Sequence, residues 1–71
     1  MGNIEKIEIR DEYITLGQLL KIADVVSTGG EVKPFLATHT VYVNNEEDNR
    51  RGRKLRSGDR IRILNREFEI C

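Results

Sequence analysis

The chain has 71 residues, of which 38% are hydrophobic and 34% are charged, so it is long enough for one small core and too short for two. It contains no tryptophan and a single cysteine, which excludes an internal disulfide framework and a zinc site built from cysteines. No apolar run approaches the roughly 18 residues of a membrane-spanning helix, and we expect no signal peptide. These features predict one cytoplasmic domain over residues 1–71, without a cofactor.

The net charge is zero, but the charges are distributed unevenly along the chain. Residues 1–48 have four basic and nine acidic side chains, a net charge of −5. Residues 49–71 have eight basic and three acidic side chains, a net charge of +5. Such an asymmetry often indicates an anionic partner.

The first half of the chain begins with a strand pattern and continues with a helix pattern. Residues 4–9 alternate imperfectly between apolar and charged side chains, which predicts a half-exposed strand at a sheet edge. From Thr15 onwards the apolar residues have the spacing of an amphipathic helix. They are Leu16, Leu19, Leu20 and Ala23. Thr15 is a suitable N-cap, and we expect this helix to end near Asp24.

A second short helix is indicated after residue 28. Thr28 and Glu31 have the spacing of a capping box, in which each side chain accepts from a backbone amide of the first turn. Pro34 removes one helical hydrogen bond, so we expect a bend there. His39 lies near the end of this helix and has no cysteine or second histidine with which to share a metal. We therefore expect a helix-end role for it.

The second half of the chain is predicted to form strands. Val41–Val43 alternates and is followed by the turn-forming pair Asn44–Asn45. Residues 46–59 are too polar for a core, and residues 57–59 predict another turn.

The C-terminal segment has the pattern of a β-hairpin. A two-residue loop at Asn65–Arg66 would place Ile63 opposite Phe68 and Ile61 opposite Ile70. The same register would pair Arg62 with Glu69 on the other face, as an opposite-charge cross-strand pair.

A run of basic residues precedes this hairpin. Residues 50–56 hold five cations and no anion: Arg50, Arg51, Arg53, Lys54 and Arg56. Arginine is well suited to phosphate because its planar guanidinium presents several donors. The alternative is a solvated face that the acidic residues 46–48 neutralise. The residues alone leave both interpretations open.

The order of these elements resembles the αL RNA-binding motif, typified by small-subunit ribosomal protein S-four, and especially the small stand-alone bacterial proteins of the YaaA type. The resemblance spans residues 14–64. Its motifs are Ile14–Lys21, Gly29–Lys33, Val41–Asn44, Asn49–Leu55 and Gly58–Asp59. It implies an α+β fold in which the two-helix motif packs on a small, mainly antiparallel sheet with flanking strands at both ends. The Arg-Leu-Asp that usually opens the family's first helix is Thr15-Leu16-Gly17 here.

Ten residues are candidates for RNA contact. They are Lys21, Gly29, Gly30, Lys33, Tyr42, Asn44, Arg50, Arg51, Arg53 and Lys54. The two glycines could let a phosphate approach backbone amides, or they could simply form the turn into the helix. Tyr42 points to the outer face of its strand, where it could stack on an unpaired base or be an ordinary surface tyrosine. Asn44 could read a base or shape its turn.

The sequence offers no catalytic site. Cys71 has no recognisable histidine partner, both serines lie in turn-like segments, and the carboxylates show no paired spacing. We therefore expect a non-enzymatic protein without a metal, a small-molecule substrate or a membrane partner. The resemblance implies binding to structured RNA, ribosomal or transfer RNA, in a ribosome-associated setting. A protein-interaction adaptor that binds an acidic partner through the basic segment is the alternative.

Overall fold

The computed structural model describes residues 3–71, which form an α+β fold. Its elements are β1 (Ile4–Ile7), β2 (Ile14–Thr15), α1 (Leu16–Ile22), a 3-10 turn (Gly29–Glu31), α2 (Val32–Thr38), β3 (Val41–Val43), β4 (Glu46–Glu47), β5 (Lys54–Leu55), β6 (Arg60–Ile63) and β7 (Arg66–Ile70). Five strands form one sheet in the order β1-β7-β6-β3-β4, and β2 pairs with β5. Only β1 and β7 run parallel among these pairs. The predicted two-helix, mainly antiparallel architecture is confirmed, with β1 at a sheet edge.

Helix α1 begins at the predicted cap. Thr15 Oγ1 accepts from the amide of Gln18 at 3.2 Å, and Gln18 Oε1 accepts from the amide of Thr15 at 2.8 Å, so two amides of the first turn are satisfied. The helix ends at Ile22, slightly before the predicted end, and Asp24 follows in the left-handed region at a φ of 61°.

The second helical segment is divided into a 3-10 turn and α2. Glu31 Oε1 accepts from the amides of Ser27 at 2.8 Å and Thr28 at 3.0 Å, which confirms that Glu31 caps this end. Pro34 is the third residue of α2. The first four amides of an α-helix have no intrahelical acceptor, so the missing N–H of Pro34 removes no hydrogen bond from α2. The bend expected at Pro34 stays a prediction; the change from 3-10 turn to α-helix lies before Pro34, between Glu31 and Val32. His39 is the C-cap of α2, which confirms its helix-end role, and its ring stacks on Phe35 with 4.2 Å between the ring centroids.

The C-terminal hairpin forms, but the predicted register is wrong. Its loop is Leu64–Asn65, and Ile61 pairs with Phe68 while Arg62 pairs with Glu67. The register differs from the predicted one by two residues. Because side chains alternate with a period of two, such a shift leaves every residue on the face that was predicted for it.

The core lies between the two helices and the inner face of the sheet. Its members include Leu16, Leu19, Leu20, Val32, Leu36, Val41, Val43, Leu55, Ile61, Ile63, Phe68 and Ile70. Leu55 is fully buried and pairs with Ile14, so the expectation that all of residues 46–59 stay out of the core is wrong. The small β2–β5 sheet allows one apolar residue of this polar segment to reach the core.

Arg66 is a strand residue rather than a loop residue. Its Nε and Nη2 atoms each donate to the Glu5 carboxylate at 2.8 Å, and its Nη1 donates to the carbonyl oxygen of Ala23 at 3.0 Å. The hydrogen bond from Arg66 lowers the pKa of Glu5. Arg66 therefore connects the edge strand β1 to the end of α1.

Candidate nucleic-acid interface

The basic loop, residues 50–56, is attached to the start of α1 by its backbone. The amide of Leu16 donates to the carbonyl of Arg53 at 2.8 Å, and the amide of Gly17 donates to the carbonyl of Arg51 at 2.9 Å. A β-carbon at Gly17 would lie 3.3 Å from Val32 Cγ1 and 3.4 Å from the Arg51 carbonyl oxygen. Gly17 is thus small enough for the basic loop to lie directly on the helix pair.

Arg51 of the basic loop and Lys33 of α2 line the same surface cleft. Asn49, Leu36 and Ala37 complete the lining. Lys33 and Arg51 are 18 positions apart in the sequence, and both side chains are exposed. Their positive potential therefore adds at one place.

Lys21 of α1 lies beside Gly29, at the start of the 3-10 turn that precedes α2. A β-carbon at Gly29 would lie 3.9 Å from Lys21 Nζ, and one at Gly30 would lie 3.9 Å from Thr28 Oγ1. Positive φ values occur at Gly58 but not at Gly29 or Gly30. Neither crowding nor backbone conformation therefore requires glycine at these two positions. We call Lys21, Gly29, Gly30, Lys33 and Arg51 the helix-pair surface.

Asp48 binds two of the arginines in the basic loop. Its carboxylate accepts from Arg50 Nε at 3.1 Å and Nη2 at 2.8 Å, and Arg53 Nε lies 3.2 Å away. The hydrogen bond from Arg50 lowers the pKa of Asp48 from 3.8 to about 2. The neutralising role considered for residues 46–48 thus applies to Arg50 and Arg53. Arg50 nevertheless stays 73% exposed, so its outer N–H groups face solvent.

Tyr42 and Asn44 lie apart from the helix-pair surface. Tyr42 occupies the outer face of the sheet, between the buried Val41 and Val43, and the guanidinium of Arg62 is 5.0 Å from its ring centroid. Asn44 donates to Asp59 Oδ1 at 3.1 Å and accepts from the amide of Arg60 at 3.0 Å. Its φ is 52°, so these contacts favour the turn-shaping alternative for Asn44.

Lys54, the last candidate, contacts an aromatic residue that the sequence analysis did not select. Its ammonium lies 5.0 Å from the centroid of the Tyr13 ring. Tyr13 carries no motif or periodic signal, because its position beside the basic loop depends on the pairing of β2 with β5.

Two further properties concern the described part of the chain, residues 3–71. It has no group of three or more histidine, cysteine, aspartate or glutamate side chains arranged to hold a metal ion. None of its helices has the length and apolar character needed to cross a membrane.

The chain is similar to a known domain family and to a named bacterial protein. The S4 domain family matches residues 7–71. The protein named probable ribosome maturation protein RlbA of Bacillus subtilis (strain 168) is 60% identical over 57 residues, which cover 80% of this chain and 80% of that protein. Residues 7–71, which the S4 domain family matches, contain both helices, the basic loop and the C-terminal hairpin.

Proposed function

The chain belongs to the S4 domain family of RNA-binding domains, and on that premise we propose that it is a non-catalytic module that binds structured ribosomal RNA during ribosome maturation. The name of its relative, a ribosome maturation protein, favours ribosomal over transfer RNA and a site of action in the cytoplasm. The observation that carries the proposal is the cleft shared by Lys33 and Arg51.

The proposed binding surface recognises phosphates. Lys21, Lys33 and Arg51 contact phosphates directly, and the backbone at Gly29–Gly30 lets one strand approach closely. Asp48 orients Arg50 and Arg53, so less side-chain freedom is lost when their outer N–H groups meet a phosphate. Such contacts recognise the shape of a folded RNA rather than its base sequence.

The salt dependence of binding tests this mechanism. Three to five phosphate contacts predict that log affinity falls with log salt with a slope of roughly −3 to −4.5 on duplex RNA. The double variant Lys33→Ser/Arg51→Ser should reduce the magnitude of that slope by about 1.8, because two counterion-releasing contacts are lost. The matched control is Arg60→Ser/Arg62→Ser, which removes the same charge from the outer face of the sheet and should change the slope much less.

Equal slope changes in the two double variants would refute the helix-pair surface as the interface. A slope near zero for the intact protein would refute phosphate binding altogether. Protein purified with a high 260/280 absorbance ratio that ribonuclease abolishes would support RNA as the partner, whereas ribonuclease-resistant capture by acidic proteins would support the adaptor alternative.

A further inference from the structure

Tyr13 lies beside the basic loop, with two cations over its ring. Lys54 Nζ is 5.0 Å and the Arg56 guanidinium carbon 5.9 Å from the ring centroid. Tyr13 itself is 36% exposed. The pairing of Ile14 with Leu55 produces this cluster, because it sets the preceding Tyr13 opposite the following Arg56.

Tyr13 differs from the other aromatic residues in its surroundings. Phe68 is fully buried, and Phe35 is stacked on His39. Tyr42 lies on the outer face of the sheet, away from the helices. Tyr13 therefore combines an accessible aromatic ring with cations of the basic loop.

We propose that Tyr13, Lys54 and Arg56 form a nucleotide subsite in which one unpaired RNA base stacks on the tyrosine ring and its phosphate is bound by the two cations. The inference rests on the proposed function and adds a second mode of recognition to it. Aromatic rings beside basic side chains are the usual platform for unpaired bases, because every base has a π-face.

The two cations can leave the ring without disturbing the fold. Both side chains are exposed, and cation–π contacts at exposed sites are weak, whereas a charge-assisted hydrogen bond to phosphate is stronger. An arriving nucleotide therefore draws Lys54 and Arg56 onto its phosphate and uncovers the ring face for the base. The subsite adjoins Arg53, whose Nη1 donates to the Lys54 carbonyl at 2.9 Å.

The subsite predicts which RNAs are preferred. The helix-pair surface binds the backbone of a helical segment, and the Tyr13 subsite binds a bulged or loop nucleotide next to it. An RNA hairpin with a single unpaired nucleotide should thus bind more tightly than the same hairpin fully paired.

The test compares those two hairpins, with 2-aminopurine as the unpaired base. Binding of the intact protein should quench 2-aminopurine fluorescence, since the base stacks on Tyr13. Tyr13→Ala should remove the quenching and weaken the bulged hairpin at least fivefold, with the paired hairpin unaffected. Tyr13→Phe should retain both quenching and affinity because it keeps the ring. The salt slope should be the same for the intact protein and Tyr13→Ala, since stacking releases no counterion.

Three outcomes would overturn the subsite. Tyr13→Ala weakens both hairpins equally, Tyr13→Ala weakens neither hairpin, or Tyr42→Ala removes the quenching while Tyr13→Ala leaves it intact. If one of these outcomes occurs while both hairpins bind the intact protein with a steep salt dependence, the subsite is refuted and the proposed function stands. If neither hairpin binds, both fail together.

Discussion

A methyl group at Gly29 should separate the needs of the fold from those of RNA binding. Gly29 has no positive φ, and an added β-carbon would meet only Lys21 Nζ, at an ordinary contact distance of 3.9 Å. Gly29→Ala should therefore raise stability by about 0.4–1 kcal/mol, because alanine reduces the freedom of the unfolded chain. For a domain of this size that is a rise in melting temperature of roughly 2–8 °C.

The same substitution should weaken RNA binding. If a phosphate oxygen contacts the backbone amides at the start of the 3-10 turn, the methyl group prevents that approach. One hydrogen bond to a charged group is worth about 1.5–3 kcal/mol, so affinity should fall at least about tenfold. Thermal melts and fluorescence anisotropy with one labelled RNA hairpin measure the two effects on the same preparation.

Gly17→Ala is the matched control, because it adds the same methyl group at a crowded position. Its β-carbon would lie 3.3 Å from Val32 Cγ1 and 3.4 Å from the Arg51 carbonyl, so its melting temperature should fall. A Gly29→Ala variant that is more stable and binds RNA with unchanged affinity would refute the close approach at Gly29. A less stable one would show that the fold itself requires the glycine.

Three further predictions concern stability. Phe68→Ala should cost about 3–5 kcal/mol in urea melts, because a fully buried ring is removed; a loss below about 1 kcal/mol would contradict its place in the core. Leu64→Asn should stabilise the hairpin by about 1 kcal/mol, since Leu64 is 56% exposed and has a φ of 57°, which asparagine tolerates better; no rise in melting temperature would contradict that strain. Because its pKa is lowered, Asp48 should contribute stability that is fully present above pH 3.8, its ordinary pKa, and that is lost as the pH falls through about 2. Asp48→Asn should flatten this part of the pH dependence of the melting temperature, and an unchanged profile would contradict the role of its arginine contacts.

Features set by neighbouring residues could be predicted from the sequence. Thr15 caps α1, Glu31 caps the second helical segment, and the Asn44–Asn45 pair adopts the two positive φ values of its turn, 52° and 69°. Each is indicated by residues within three positions of one another, although Asp59 and the amide of Arg60 also hold Asn44 in place.

Features set by distant residues could not be predicted. The predicted hairpin register is wrong by two residues, because both registers bury the same face. The positive φ at Leu64 could not be predicted either, because leucine does not favour that conformation. The pairs Arg66–Glu5 and Leu55–Ile14 join residues 61 and 41 positions apart. Opposite charges and apolar residues are too common for either partner to identify the other.

The basic run illustrates why charge counted along a sequence does not give charge at a surface. Asp48 binds Arg50 and Arg53, so two of the five cations of the basic loop are partly neutralised from outside the run. Lys33, which belongs to the acidic half, instead lines a cleft with Arg51, and Lys21 lies beside Gly29. The cleft that we propose as the RNA-binding surface therefore takes its cations from two elements that are distant in the sequence. Exchanging Arg51 and Gly52 (Arg51→Gly/Gly52→Arg) should impair RNA binding even though it keeps the net charge, because it removes the cation that lines the cleft with Lys33.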